Sequence, residues 1–154
     1  GAAVTPRRQA MDATLYEHDF YAWATRNAKL MREGKLSEID VDHIAEELEE
    51  ISGSQRRELV RRLAVLMAHL LKWQYEPELR GRSWKLTILS QRDNLADLLD
   101  ESPSLKSQSG PLLPKAYGRA KRYASIQTGL SETTFPDLCP YSFDQLIDPD
   151  YWPK

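Results

Sequence analysis

The sequence predicts an all-α fold: a compact helical bundle of about five helices with an extended C-terminal strap. Three observations carry this prediction. Several segments repeat apolar residues at alternating steps of three and four, and no segment alternates β-branched residues with a period of two. The apolar stripes also begin and end on residues that cap or break helices. At 154 residues the chain can bury one sizeable core, so residues 13–154 are read as a single helical domain. Residues 1–12 are read as a flexible arm, and Gly1, standing where a methionine would, as an expression scar.

Each element has a local cause. Thr14-Leu-Tyr-Glu17 has the form of a capping box, and Gly34 can adopt the left-handed conformation that closes a helix, so the spacing predicts a first helix from Thr14 to about Glu33. Its inner face is Tyr16, Phe20, Trp23, Leu30 and Met31, with Asn27 in the same stripe and in need of a partner if buried. Asp40 is a good N-cap for a second helix with an inward stripe of Val41, Ile44, Leu48 and Ile51. Its other face, with Asp42, Glu46, Glu47, Glu49 and Glu50, is acidic. After Ser52-Gly53-Ser54 come Arg56, Arg57, Arg61 and Arg62. An antiparallel hairpin about Gly53 would set those arginines against the carboxylates. One continuous helix is the alternative, since an interior glycine costs only about 1 kcal/mol.

A third helix carries the widest apolar face, from Leu59 through Leu63, Leu66, Met67 and Leu70 to Trp73, and Pro77 stops it. A fourth, from about Ser83 to Glu101, presents Trp84, Ile88, Leu95 and Leu98. A fifth, from about Leu112 to Thr128, has a small-residue face of Ala116, Ala120 and Ala124 and ends at Gly129. The proline-rich remainder holds too many apolar residues for a free tail. It is expected to lie across the bundle, with one short helix capped by Ser142 and Gln145.

Bulk properties narrow the function classes. A net charge of -2 supplies no global attraction to nucleic acid or membrane, so any such affinity must come from a local patch. No apolar run is long enough to span a bilayer, and one cysteine, Cys139, cannot form an intrachain disulfide. Both point to a cytoplasmic protein without membrane contact.

Spaced motifs carry a resemblance over nearly the whole chain. Leu15-Tyr16-x-x-Asp19-Phe20-x-x-Trp23, Glu46-Glu47-Leu48-Glu49, His69-Leu-Leu-Lys72-Trp73-Gln-Tyr75-x-Pro77, Gln91-Arg92, Ser102-Pro103-Ser-Leu105 and Cys139-Pro140 occur in the order found in an uncharacterised bacterial family. The chain resembles that family, domain of unknown function 29. The resemblance implies a compact helical domain and supplies no catalytic residues.

Candidate sites must therefore come from the residues. His69, Trp73, Tyr75, Arg82 and Trp84 surround the corner between helices three and four. They are read first as a structural corner and second as a ligand groove. Lys115, Arg119 and Arg122 form a basic row at i, i+4 and i+7, a candidate surface for nucleic acid. His43, Glu47 and Glu50 share one side of helix two, and across a hairpin His69 could join them around a metal; without the Glu-x-x-His spacing of bundle metal sites, no metal or cofactor is expected. Cys139 lacks a neighbouring histidine and reads as a buried thiol. The reading reached is a non-catalytic interaction domain for a protein partner or a second copy of itself. Nucleic-acid binding ranks second and a metal-dependent enzyme third.

Overall fold

The computed structural model describes residues 6–154, apart from the side chains of residues 6–9 and Ala13. Among the described residues there are six α-helices and no strand: α1 Pro6–His18, α2 Phe20–Arg32, α3 Val41–Tyr75, α4 Arg82–Glu101, α5 Ser109–Thr128 and α6 Phe143–Ile147. The chain divides between Ser52 and Gly53 into two compact units. Of the arm expected over residues 1–12, the first five residues, the scar position included, lie outside the described residues, and residues 6–12 belong to α1.

In the N-terminal unit, the expected first helix is two helices. Asp19 leaves helical geometry at φ -147° and its carboxylate accepts the backbone N–H of Ala22, so it caps α2 and thereby ends α1 at His18. Thr14 makes no capping box; inside α1 its hydroxyl donates to the Ala10 carbonyl at 2.9 Å. Gly34 closes α2 as expected, with φ +74° and the Lys35 amide reaching back to the Leu30 carbonyl at 2.9 Å. Of the stripe expected to face inward at the start of α3, only Ile44 is half-buried. Val41, Leu48 and Ile51 are 60%, 62% and 59% exposed.

Of the two readings open at Gly53, the continuous helix is the one found: α3 runs unbroken for 35 residues. Gly53 keeps a negative φ, no proline interrupts the segment, and a helix this long absorbs the modest cost of one glycine. Continuity also changes the electrostatics. Asp42 sits in the first turn of α3, where a carboxylate favours the macrodipole, and Glu46 to Glu50 lie in the helix's N-terminal half and not at a C-terminus. Arg62 finds its carboxylate one turn back at Glu58, Nε to Oε1 3.1 Å, without any hairpin partner. Replacing Gly53 with alanine is expected to stabilise the chain by about 1 kcal/mol, read as a raised denaturation midpoint at unchanged slope. The new Cβ would lie 3.3 Å from Arg57 Nη1, so this gain requires the guanidinium to shift by a few tenths of an ångström.

The second unit is a helical bundle around α3. Leu59, Leu63, Leu66, Met67, Leu70 and Leu71 are fully enclosed by Ile88 and Leu95 of α4, Ala116, Ala120 and Ala124 of α5, and residues of the strap. The alanines let α5 approach closely, and Gly129, at φ +78°, ends that helix. The strap crosses this core as anticipated: Phe135, Tyr141 and Leu146 are buried. Ser142 and Gln145 form the expected capping box on α6, at 3.1 and 3.0 Å. Arg92 of α4, itself buried, holds the strap by donating from Nε to the Leu146 carbonyl at 2.9 Å and from Nη2 to the Gln145 carbonyl at 3.2 Å.

Candidate functional site

The five residues of the expected groove go to four different neighbourhoods. Trp73 packs on Trp152 of the strap, with centroids 4.7 Å apart, and under the Arg80 guanidinium at 5.0 Å; Arg80 Nε also donates to the Trp73 carbonyl. Tyr75 meets the edge of Phe135 at 5.3 Å, and Arg82 is exposed at the start of α4. Only His69 and Trp84 come together, through a residue that was not singled out, Lys72. Its ammonium is 4.9 Å above the Trp84 ring, donates to Gln127 Oε1 at 2.8 Å, and lies 3.5 Å from His69 Nε2. His69 Nδ1 donates to the Val65 carbonyl, which leaves Nε2 as the acceptor facing Lys72. Burial pushes both Lys72 and His69 below their usual pKa values. The signal was legible: a lysine at i+3 from His69, inside an otherwise apolar stripe.

The basic row is split. Lys115 and Arg119 of α5 line a groove with Gly53, Arg56, Arg57 and Val60 of α3 and with Leu112. Arg122 lies elsewhere, its guanidinium 5.8 Å from the Tyr123 ring. The groove encloses about 290 Å³, has buried Val60 and Leu112 at its base, and no acidic or aromatic residue is among the described residues that line it.

In the N-terminal unit a polar cluster joins α1, α2 and the start of α3. Asp40 accepts from the Trp23 indole at 2.9 Å and from His43 Nδ1 at 2.7 Å, while its own backbone N–H donates to Asn27 Oδ1 at 2.8 Å. That is the partner Asn27 required. Its amide nitrogen donates in turn to the Trp23 carbonyl. The Tyr16 ring stacks on His43 at 4.0 Å, and its hydroxyl donates to Glu47; that bond, followed by burial, pushes the tyrosine up to about 12. Burial raises the Asp40 carboxyl, but the bonds from Trp23 and His43 outweigh it and hold it below its ordinary value. The bond to Asp40 raises His43 against a smaller opposing effect of burial.

The family described as Domain of unknown function DUF29 matches residues 15–152. The chain belongs to that family. No curated protein and no solved structure matches it. In this DUF29 chain, two motifs distant in sequence converge: Tyr16 from the first meets Glu47 of the second and His43 just before it, and Trp23 of the first packs edge-on against Tyr16. Lys72, of the His69-to-Pro77 motif, is the buried cation described above, and Arg92, of the Gln91-Arg92 motif, is the clamp on the strap.

The histidine and carboxylate constellation weighed for a metal is not assembled. His43 Nδ1 is taken by Asp40, and Glu47 is engaged by Tyr16. Among the described residues no group of three or more histidine, cysteine or acidic side chains is disposed to hold a metal ion. Cys139 is half-buried, with Sγ donating to the Tyr141 carbonyl at 3.3 Å and 3.6 Å from Met67 Sδ; burial raises its pKa, which is the opposite of what a nucleophile needs. No helix among the described residues is long and apolar enough to cross a membrane.

Proposed function

We propose that this DUF29 chain is a non-catalytic interaction domain of the bacterial cytoplasm, and that its N-terminal unit receives a basic amphipathic helix from a partner protein. The observation that carries the reading is the outward stripe of α3. Val41, Leu48 and Ile51, at steps of seven and three, remain about three-fifths exposed, while Phe20 of α2 is 51% exposed in the same unit. Apolar groups repeated on one helix face are the anchors of helix-in-groove recognition. Residues 36–55 contain seven carboxylates and no lysine or arginine, so the stripe runs through acidic surroundings that favour a cationic partner and repel an acidic one.

The test is titration with two synthetic peptides of about five helical turns, sharing one leucine face and carrying either lysine or glutamate on the other. The lysine peptide is expected to bind at least about tenfold more tightly, and replacing Leu48 and Ile51 with glutamine to weaken it by a similar factor. Equal affinity for both peptides, or no response to the double substitution, would reject the reading. A second reading, nucleic-acid binding, rests on Lys115 and Arg119. The lack of aromatic groups among the described residues lining their groove leaves single-stranded bases nothing to stack on, which ranks it below the first.

A further inference from the structure

We infer that the groove between α3 and α5 is a binding site for a small ligand bearing two or more linked phosphates, a nucleoside polyphosphate or a short inorganic oligophosphate. This inference stands apart from the proposed docking of a helix, which concerns the other unit. Four cationic side chains reach one concavity from two helices: Arg56 and Arg57 from α3, Lys115 and Arg119 from α5. Cations on opposite walls can grip an anion from both sides, arginine by paired N–H donors and lysine as a point charge. The base of the groove is apolar, with Val60 3% and Leu112 7% exposed. A low-dielectric floor strengthens each of these attractions over its value in open water.

The glycine in the middle of α3 fits the same purpose. Gly53 lines the groove one turn before the two arginines, and a Cβ there would crowd Arg57 Nη1 at 3.3 Å. An interior helix position that gives up about 1 kcal/mol of propensity thus leaves room for a guanidinium at the groove wall. Size and lining select the ligand. About 290 Å³ lies at the low end of small-molecule sites, enough for a nucleotide's phosphates and not for a length of polymer. A chain of net charge -2 also offers no extended field to hold a long polyanion.

Calorimetric titration of the full chain with inorganic tripolyphosphate, ATP, orthophosphate and a short single-stranded oligonucleotide tests the assignment. Tripolyphosphate is expected to bind more tightly than orthophosphate by about tenfold or more, and ATP comparably to tripolyphosphate. Lys115→Glu with Arg119→Glu should remove this binding, and Arg56→Gln, on the other helix, should weaken it severalfold. Arg122→Glu, on the same helix but outside the groove, should change it less than about twofold. If the double charge reversal fails to fold, Arg56→Gln and Arg122→Glu decide the matter by themselves. The assignment falls if tripolyphosphate does not bind, if only the oligonucleotide binds, or if Arg122→Glu weakens binding as much as Arg56→Gln.

Discussion

Replacing Arg92 with alanine is expected to destabilise the second unit by about 3 kcal/mol and to loosen the strap before the rest of the bundle. The guanidinium is buried and donates to the Leu146 carbonyl and to the Gln145 carbonyl, which also accepts the Asp148 backbone N–H at 3.3 Å. It also lies 5.7 Å from the Trp152 ring. Alanine would take the guanidinium donor from both carbonyls, leaving that of Gln145 only the Asp148 N–H, beside a cavity where a long side chain had been, and neither loss is recovered by water unless the strap lifts. Denaturant unfolding measures the loss, and hydrogen exchange on residues 141–148 locates it. Lysine at this position keeps the charge but cannot reach both carbonyls from one planar group, so it should recover less than half of the stability. Unchanged exchange in the strap of the alanine variant would show that Arg92 is not its anchor.

The second large effect is expected at Asp40. Alanine there removes the acceptor of a buried indole N–H and the charge partner of His43, and it exposes the start of α3; together these should cost about 3 kcal/mol. Asparagine separates the contributions, because it can still accept from Trp23 and still cap, and should cost about 1 kcal/mol. Its signature lies in the pH dependence. The His43 pKa is raised in the folded chain, so its contribution is complete below the ordinary histidine value of about 6.5 and is lost as pH rises through the raised value. The Asp40 pKa is lowered, so its contribution is complete above the ordinary carboxylate value and is lost as pH falls through the lowered one. The difference in stability between the native chain and Asp40→Asn should therefore be greatest between about pH 4 and 6.5 and shrink on either side. His69, whose lowered pKa works in the opposite sense near neutrality, is common to both proteins and cancels in the comparison. A difference that does not vary with pH would mean the pair is held by shape alone.

The legibility of the fold in the sequence depended on whether a signal was local. Gly34, Gly129 and the Ser142–Gln145 capping box act within one turn of themselves, and each does in the structure what its chemistry indicates. The stripe from Leu59 to Leu71 was equally plain, since a face that wide has to be covered. Asp19 was harder to read: the apolar spacing runs straight through it, and only the bond from its carboxylate to the Ala22 amide decides that two helices meet there. Ser52-Gly53-Ser54 looks like a loop by composition, yet three modest propensity costs do not break a helix anchored on both sides. The hairpin alternative pairs Arg56 and Arg57 with carboxylates of the preceding segment, whereas the continuous helix brings them into one groove with Lys115 and Arg119, a convergence no local pattern encodes. Leu48 and Ile51 show a different limit: periodicity identifies an apolar face but not whether anything covers it. Lys72 was visible as the one cation in its stripe, but its partners Trp84 and Gln127 come from helices whose approach no local pattern encodes.

The strap has a further consequence during synthesis. Because Phe135, Tyr141 and Leu146 are part of the wall around Leu63, Leu66 and Leu70, a ribosome that has delivered only the helices through Gly129 has released an unsealed core. The nascent chain must wait in that sticky state for the strap to be translated, and the bundle becomes cooperative only afterwards.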